Sequence, residues 1–499
     1  MPTWALVSAH ARNLACRPHT LVGLATQHVI VGPLARPAAA DGEEYVTESF
    51  QLESGLVLRN VKVVYKTWGE LNAAADNVIF VAHALTGNAD AQGWWGGVIG
   101  PGLALDTDRF FVVCANILGS CYGTTGPLEP LPAGGVPWAS SARSPTRTDK
   151  QPRYAADFPY VTVRDTVALH REMLDSLGVR EVHAVVGGSL GGMQALEWLV
   201  MYPELVKRGV LIACSAFQSA WQIGISETQR QAIYRDPKWR NGFYALDAPP
   251  ADGLAIARQG AMIWCVCRLR PPPPLLPLLL ATALATPPPP PPLLPPPPPH
   301  SLAPSPSCRY RSHPAYMAKF GRQLQTPEAG DAADNARSAA GEGAAPNYSV
   351  EGYLEAQGRK FLARFDANSY VSLTRTLDSH HVGRGRGEGG ADAPVEQVLA
   401  AVQQPVLVVG LDSDVLYPLD EQRFMAGAMP HATLKVVRTM QGHDGFLLEH
   451  EQIGALVSAG VRAELHGPKT LSFPREAFTK PSQATPPATP KCGGWAFAI

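Results

Sequence analysis

The sequence predicts an α/β protein whose mostly parallel sheet is flanked by helices and interrupted by an inserted helical lid domain. Two observations predict this fold class. Short runs rich in Val, Ile and Leu recur along the chain, as is typical of parallel strands that are buried on both faces. Segments with helical periodicity separate several of these runs, and alternation of strands and helices produces a sheet with right-handed crossovers.

Six apolar runs are the predicted strands. They cover residues 78–83, 110–117, 182–187, 210–214, 405–410 and 434–437. One helix is predicted over 163–177, because apolar residues recur on one face and Gly178 follows as a C-cap. Another is predicted over 193–201, where Pro203 stops it.

The long segment between the fourth and fifth strands contains helical patterns at 228–234, 254–263 and 350–362. We interpret this segment as a lid inserted into the sheet domain. The predicted organisation is an extension at 1–44, sheet-domain segments at 45–221 and 399–463, a lid at 222–398 and a disordered tail at 464–499.

Composition excludes several classes of protein. Lys and Arg total 42 and Asp and Glu total 43, so we expect no nucleic-acid partner and no polybasic membrane patch. The hydrophobic content of 45% excludes a wholly disordered chain. No uninterrupted apolar run approaches the roughly 20 residues of a membrane helix. The eight cysteines form no CxxC pair, which argues against a metal site and favours a reducing compartment.

Three segments fall outside this regular pattern. Residues 1–40 are basic and lack acids, which fits either an organelle transit peptide or a disordered cytosolic extension. The predicted localisation is therefore cytoplasmic or organellar, in a plastid or mitochondrion. The proline-rich segment 265–309 fits a polyproline II spacer or a dispensable insert, and we favour the insert because a helical pattern resumes after it. A polar insert is predicted at 327–347.

Gly187-Gly188-Ser189-Leu190-Gly191 fits the pattern G-x-S-x-G. This motif requires a sharp turn from a strand into a helix, and the sequence supplies both neighbours. The turn exposes the serine hydroxyl at a helix N-terminus, where backbone N–H groups favour a developing oxyanion. Ser189 is therefore the predicted nucleophile, the alternative being a glycine-rich turn with a capping serine.

A serine nucleophile needs a base, and in this architecture an acid and then a histidine follow it along the chain. Asp414 is the preferred acid because it lies farther past the fifth strand than the alternative, Asp412. His443 is the predicted base, because it follows the sixth strand at the carboxyl edge where catalytic groups collect in parallel sheets. The predicted oxyanion donors are the amides of Leu190 and Leu85.

Several motifs resemble the homoserine O-acetyltransferase family, whose members are α/β-hydrolase-fold acyltransferases of methionine biosynthesis. They are HALTGNAD at 83–90, NILGSCYGTTGP at 116–127, FPYVTVRD at 158–165, GGSLGGMQALEW at 187–198, RFDANSY at 364–370 and GHDGFL at 442–447. The family pattern runs from Trp264 directly to Tyr310, so the proline-rich segment has no place in it.

The resemblance implies transfer of acetyl from acetyl-CoA to the L-homoserine hydroxyl through an acyl-Ser189 intermediate. It implies that Arg230 holds the substrate carboxylate and that Asp444 holds the ammonium group. Without the resemblance, Arg230 would be interpreted as a surface arginine on a helix. The resemblance further implies acetyl-CoA as co-substrate, no bound cofactor, no metal and a homodimer.

Three alternatives stay open at this stage. An esterase on the same fold would let water take the acyl group. A homoserine O-succinyltransferase or serine O-acetyltransferase would differ in the shape of the pocket. A non-catalytic scaffold would recruit partners through its proline-rich segment.

Overall fold

The computed structural model describes residues 42–132, 153–263, 312–324 and 348–462. Its main sheet has eight strands in the order β1-β2-β6-β3-β7-β8-β9-β10. The strands are β1 Glu43–Gln51, β2 Val57–Trp68, β3 Val78–Ala82, β6 Phe111–Ala115, β7 Val182–Gly188, β8 Gly209–Ile212, β9 Val406–Leu411 and β10 Ala432–Val437. A separate two-stranded sheet pairs β4 Ile99–Gly100 with β5 Leu105–Asp106.

The prediction of a mostly parallel sheet is confirmed. From β6 to β10 every pairing is parallel, whereas β1 and β2 add an antiparallel edge. In β3, Phe80 belongs to one hydrophobic cluster and Val81 to the other, so both faces of the strand are buried. This burial explains why the central strands appear in the sequence as continuous apolar runs.

Strands β1 and β2 are not among the strands predicted from the sequence. Polar and charged residues interrupt their apolar residues, since most of β1, at the sheet edge, and the start of β2 are exposed to solvent. The first strand begins at Glu43, so it includes the last two residues of the predicted N-terminal extension. The predicted extension up to residue 41 and the tail beyond residue 462 lie outside the described residues.

Helices flank the sheet and cover one end of it. The described helices are α1 Ala91–Trp95, α2 Val163–Ser176, α3 Leu190–Met201, α4 Ala220–Tyr234, α5 Ala251–Ile263, α6 His313–Phe320, α7 Ser349–Leu362, α8 Ala367–Asp378, α9 Val395–Ala400, α10 Leu419–Ala428, α11 Gly445–Leu448 and α12 His450–Val461. Helices α4 to α9 lie between β8 and β9 in the chain, and both internal inserts fall outside the described residues.

Local capping determines where α2, the helix before β7, begins and ends. Thr162 accepts a hydrogen bond from the Asp165 amide, and the Asp165 carboxylate accepts one from the Thr162 amide. This reciprocal pair satisfies two backbone donors that a helix N-terminus otherwise leaves unpaired. At the other end Gly178 has a φ of +76°, the left-handed conformation expected of the glycine that ends a helix.

None of the described helices is long and apolar enough to cross a membrane.

Candidate active site

Ser189 lies on a strained turn between β7 and α3. Its φ of 58° and ψ of −126° are uncommon for a residue with a side chain. The two flanking glycines permit the turn: a Cβ on Gly187 would lie 2.2 Å from the Gly191 carbonyl oxygen, and a Cβ on Gly191 would lie 2.0 Å from the Ala82 carbonyl oxygen. The sequence pattern therefore reflects two backbone contacts that exclude any larger residue.

Asp414 contacts the ring of His443. Asp414 Oδ2 lies 2.6 Å from His443 Nδ1, and both side chains are buried. Asp414 Oδ1 accepts hydrogen bonds from the amides of Leu416, at 2.9 Å, and Tyr417, at 3.0 Å. The backbone thus fixes the carboxylate through Oδ1, and Oδ2 remains to orient the imidazole.

The alternative acid, Asp412, has a different role in the structure. Its Oδ1 accepts a hydrogen bond from the Thr439 amide at 2.9 Å, and the residue is exposed. This bond links the loop after β9 to the loop after β10. Three further histidines follow Asp414 in the chain. His431 directly precedes β10, His450 begins α12, and neither lines the pocket with Ser189, while His466 lies outside the described residues.

One small pocket brings most of the predicted site residues together. Ser189, His443, Asp444 and Leu85 all line it. The rest of its wall is largely apolar and comes from the loop after β3, the end of α8, the loop that carries Asp414, and α11. These residues are Ala84, Thr86, Leu377, Leu416, Tyr417, Phe446 and Leu447. Ser189 is only 7% exposed, so a bound acyl group would be largely shielded from water.

The two predicted oxyanion donors belong to segments that meet at Ser189. Leu190 is the first residue of α3, and an amide in the first turn of a helix has no acceptor within that helix. Leu85 belongs to the loop between β3 and α1 and lines the pocket. The two segments that would supply these amides therefore both adjoin Ser189.

His83, at the start of that loop, is a structural histidine. Its Nε2 accepts the Ile117 amide at 3.1 Å, so its Nδ1 carries the proton and donates to the Ala84 carbonyl at 2.9 Å. Complete burial lowers the pKa of His83 to about 4, because the charged ring would lose its hydration. His83 is thus neutral and holds the loop in place.

Acid should destabilise the fold through three buried histidines, His83, His170 and His380. Burial lowers the pKa of each from an ordinary value of 6.5 to about 4. Between these values the unfolded chain binds protons that the folded chain does not. Stability is therefore present above pH 6.5 and lost towards pH 4, by about 1.4 kcal/mol per pH unit per histidine. Urea unfolding across this range checks the slope. His170→Gln should reduce it, and an unchanged slope in that variant would contradict the assignment.

Arg230 is buried rather than exposed, and it does not line the pocket around Ser189. Its Nε lies 2.9 Å from Glu227 Oε2, and its Nη1 lies 2.7 Å from Asp378 Oδ2. Asp378 ends α8, directly after Leu377, which does line the pocket. The guanidinium is therefore held by two carboxylates, one of which, Asp378, adjoins a residue of the pocket wall.

Burial strongly affects the pKa of one carboxyl near Asp414. Burial raises the pKa of Glu421 to about 7, with a smaller contribution from the negative charge of Asp414. Gln222, in the first turn of α4, donates to Glu421 Oε1 at 2.9 Å and to the Leu416 carbonyl at 2.8 Å. Helix α4 therefore contacts the loop that carries Asp414.

The described residues contain no group of three or more His, Cys, Asp or Glu side chains that could hold a metal ion. Cys214 is buried next to Gly192, and its burial raises the pKa of its thiol. Its Sγ would lie 2.6 Å from a Cβ on Gly192, so it fills space behind the turn. The chemical groups that the pocket and its surroundings bring together are a serine, a histidine and a carboxylate.

Comparison with known proteins places the chain in a family. Residues 77–285 match the model of the alpha/beta hydrolase fold. Homoserine O-acetyltransferase from Trichormus variabilis is 39% identical over 408 residues, which cover 82% of this chain and 90% of that protein.

Two solved structures share the fold. The homoserine O-acetyltransferase from Bacillus anthracis has a TM-score of 0.63 at 21% identity, over 84% of this chain and 97% of that one. Esterase E22 has a TM-score of 0.61 at 22% identity, over 84% and 99%. Since a transferase and an esterase match equally well, the fold alone does not separate the two reactions. The identity to the Trichormus protein over nearly its whole length does assign the family: this chain belongs to the homoserine O-acetyltransferase family, on an α/β-hydrolase fold.

Proposed function

We propose that this protein is an acyltransferase of methionine biosynthesis that moves the acetyl group of acetyl-CoA to the side-chain hydroxyl of L-homoserine. The observation that carries the proposal is the buried Asp414–His443 pair, whose histidine lines the same pocket as Ser189, in a chain of this family. Ser189 is the proposed nucleophile, His443 the base, and Asp414 the acid that orients it.

The first half-reaction forms an acyl-enzyme. His443 Nε2 accepts the Ser189 proton while the serine oxygen attacks the thioester carbonyl. The Asp414 carboxylate accepts the Nδ1 proton in a hydrogen bond and stabilises the imidazolium. When the tetrahedral intermediate collapses, the carbon–sulfur bond breaks, and CoA leaves as the thiol with the proton held by His443.

The second half-reaction reverses these roles with a new nucleophile. His443 removes the proton of the homoserine hydroxyl, whose oxygen attacks the acetyl-serine carbonyl. The serine oxygen then leaves and regains its proton from His443, which releases O-acetyl-L-homoserine and restores the enzyme. In both halves the amides of Leu190 and Leu85 are the proposed donors to the oxyanion, a contribution worth about 3 kcal/mol per donor in other enzymes.

Burial of the pocket favours transfer over hydrolysis. An acyl-serine reacts with water unless water is excluded from the site. Here Ser189 and His443 are both buried, and leucine and phenylalanine side chains form much of the wall. We propose that the bound amino acid fills the remaining space and presents its hydroxyl to His443.

The amino-acid clamp is the part of the proposal that separates this reaction from ester hydrolysis. We propose that Asp444 binds the substrate ammonium, since it is buried in the wall of the same pocket. We propose that Arg230 binds the substrate carboxylate, although Glu227 and Asp378 already contact its guanidinium. The substrate carboxylate would then compete with those two groups for the arginine donors.

Asp444→Asn should weaken L-homoserine binding without removing acyl transfer to the serine. The amide has the shape of the carboxylate but lacks its charge, and a hydrogen bond to a charged group contributes about 1.5–3 kcal/mol. We therefore expect KM for L-homoserine to rise about 10- to 100-fold. The rate of CoA release with water as acceptor should stay unchanged. An equal loss with water and with L-homoserine would contradict a role in acceptor binding.

The finer assignments belong to the same proposal. We propose that acetyl-CoA is the acyl donor, that no cofactor is bound, and that the protein is a homodimer, as the family resemblance implies. Light scattering of the purified protein tests the dimer. The cytoplasmic and organellar alternatives for its localisation are separated by fluorescence microscopy of a C-terminally tagged full chain.

The decisive assay is thiol release by the purified full chain. Acetyl-CoA or succinyl-CoA is offered with L-homoserine, L-serine or water alone. Fast release that requires acetyl-CoA together with L-homoserine supports the proposal. Release with succinyl-CoA or L-serine instead would favour the corresponding transferase, and equally fast release with water would favour an esterase.

A further inference from the structure

Gln194 is a buried polar residue in the apolar part of α3, one turn after the nucleophile. It is 1% exposed. Its Nε2 donates to the His83 carbonyl at 3.1 Å and approaches the Leu190 carbonyl at 3.4 Å. One side chain thus contacts both segments that carry the proposed oxyanion donors, the loop after β3 and the start of α3.

We infer that Gln194 is a positioning residue for the oxyanion hole, which sets the separation between the amides of Leu85 and Leu190. The inference rests on the proposed function only in that it requires an oxyanion to form at Ser189. Because the energy of such donors depends on their fixed orientation, a side chain that holds them should affect the rate more than substrate binding.

The backbone around Gln194 shows how closely the two segments approach. A Cβ on Gly191 would lie 2.0 Å from the Ala82 carbonyl oxygen and 3.2 Å from the His83 carbonyl carbon. The first turn of α3 therefore rests directly on the end of β3 with no side chain between them. The Gln194 hydrogen bond to His83 joins the two backbones immediately beyond this contact.

The same loop is held at two further carbonyls. The His83 ring donates to the Ala84 carbonyl at 2.9 Å. Arg364, between α7 and α8, donates through Nη1 to the Thr86 carbonyl at 2.9 Å. The first bond fixes the Ala84–Leu85 peptide, which carries the Leu85 amide, and the second fixes the Thr86–Gly87 peptide one residue further on. The Leu85 amide therefore cannot turn without breaking the hydrogen bond at the Ala84 carbonyl.

The chain contains a matched control for Gln194. Gln404 is also buried, and its Nε2 donates to the Leu199 carbonyl at 3.1 Å and approaches the Pro203 carbonyl at 3.4 Å. These contacts reproduce the distances at Gln194 but lie at the far end of α3. Replacing either glutamine removes the same kind of side-chain bond to a backbone carbonyl, and only Gln194 is next to the nucleophile.

The experiment compares Q194L, Q194M and Q404L in the full chain, with thermal unfolding to verify folding. We expect Q194L and Q194M to lower kcat about 10- to 100-fold. KM for acetyl-CoA should stay near the wild-type value. Q404L should keep the wild-type kcat even if its melting temperature falls as much as those of Q194L and Q194M. The affinity of a trifluoromethyl ketone, which forms an oxyanion adduct with serine, should fall in the Gln194 variants in proportion to kcat.

A second substrate separates this inference from the proposed function. The nitrophenolate burst from p-nitrophenyl acetate reports acylation of Ser189 without CoA or homoserine. A slower burst in both Gln194 variants but not in Q404L supports the inference whatever the natural acyl donor is. Wild-type bursts in Q194L and Q194M, or an equal loss in Q404L, would overturn it. A wild-type protein that gives the burst but no acetyl transfer to L-homoserine would contradict only the proposed function.

Discussion

Replacing Ser189 with alanine is expected to abolish acyl transfer, with kcat lowered by about 10⁴-fold or more. Without the hydroxyl no acyl-enzyme forms, and the remaining groups act only on water or on a direct attack by the acceptor. The backbone should tolerate the change, because alanine meets the same strain as serine at a φ of 58°. Thiol release from acetyl-CoA in the presence of L-homoserine measures the effect.

Ser215→Ala is the control for that variant. Ser215 is also buried and follows β8, the strand next to the nucleophile strand, and its hydroxyl donates to the Phe217 carbonyl at 2.7 Å. We expect it to keep a rate close to that of the wild type. Substantial activity in Ser189→Ala would contradict nucleophilic catalysis by this serine.

Replacing Asp414 with asparagine is expected to lower kcat by about 10⁴-fold while preserving the fold. Two backbone amides, those of Leu416 and Tyr417, already donate to Oδ1, so the asparagine carbonyl must take that position. Its NH₂ group then faces His443 Nδ1, where Oδ2 now lies at 2.6 Å. The imidazole must accept this bond at Nδ1, so Nε2 keeps a proton and cannot act as a base.

Asp412, which is exposed, provides the control for the expected loss of kcat in Asp414→Asn. Asp412→Asn removes the charge of the carboxylate that accepts the hydrogen bond from the Thr439 amide, and it leaves the hydrogen bond between Asp414 and His443 in place. Its kcat should therefore stay near the wild-type value. The pair of variants is assayed for thiol release, with thermal unfolding to verify that each is folded. Similar losses in both variants would contradict the tautomer argument and point to a general effect on the loop after β9.

The parts of the fold that the sequence predicted are those with a local signature. The central strands bury both faces, so each is a continuous apolar run such as Val406–Leu411. The nucleophile turn is also local, because the glycines at 187 and 191 are required by contacts within a few residues and with the adjacent strand. In contrast, β1 and β2 are partly exposed, and their alternating pattern lacks such a run.

The parts that the sequence could not predict depend on residues far apart in the chain. The ion pair between Arg230 and Asp378 joins α4 to the end of α8, and nothing in either segment identifies its partner. Arg364 likewise donates to a carbonyl of the loop after β3, which is far from it in the chain. Gln194 did have a local signal, an amide side chain in an apolar helix directly after the nucleophile. Its contact with the His83 carbonyl becomes visible only when β3 and α3 are packed together.

The central claim is that Ser189 carries the acetyl group between acetyl-CoA and L-homoserine, and trapping that intermediate tests it most directly. The full chain is mixed with acetyl-CoA, quenched in acid and digested, and the peptide containing Ser189 is analysed by mass spectrometry. We predict one added acetyl group on Ser189, lost on a chase with L-homoserine as O-acetyl-L-homoserine appears, and absent in Ser189→Ala. Formation of O-acetyl-L-homoserine by Ser189→Ala at the wild-type rate, or an acetyl-Ser189 that water discharges as fast as L-homoserine does, would contradict the account.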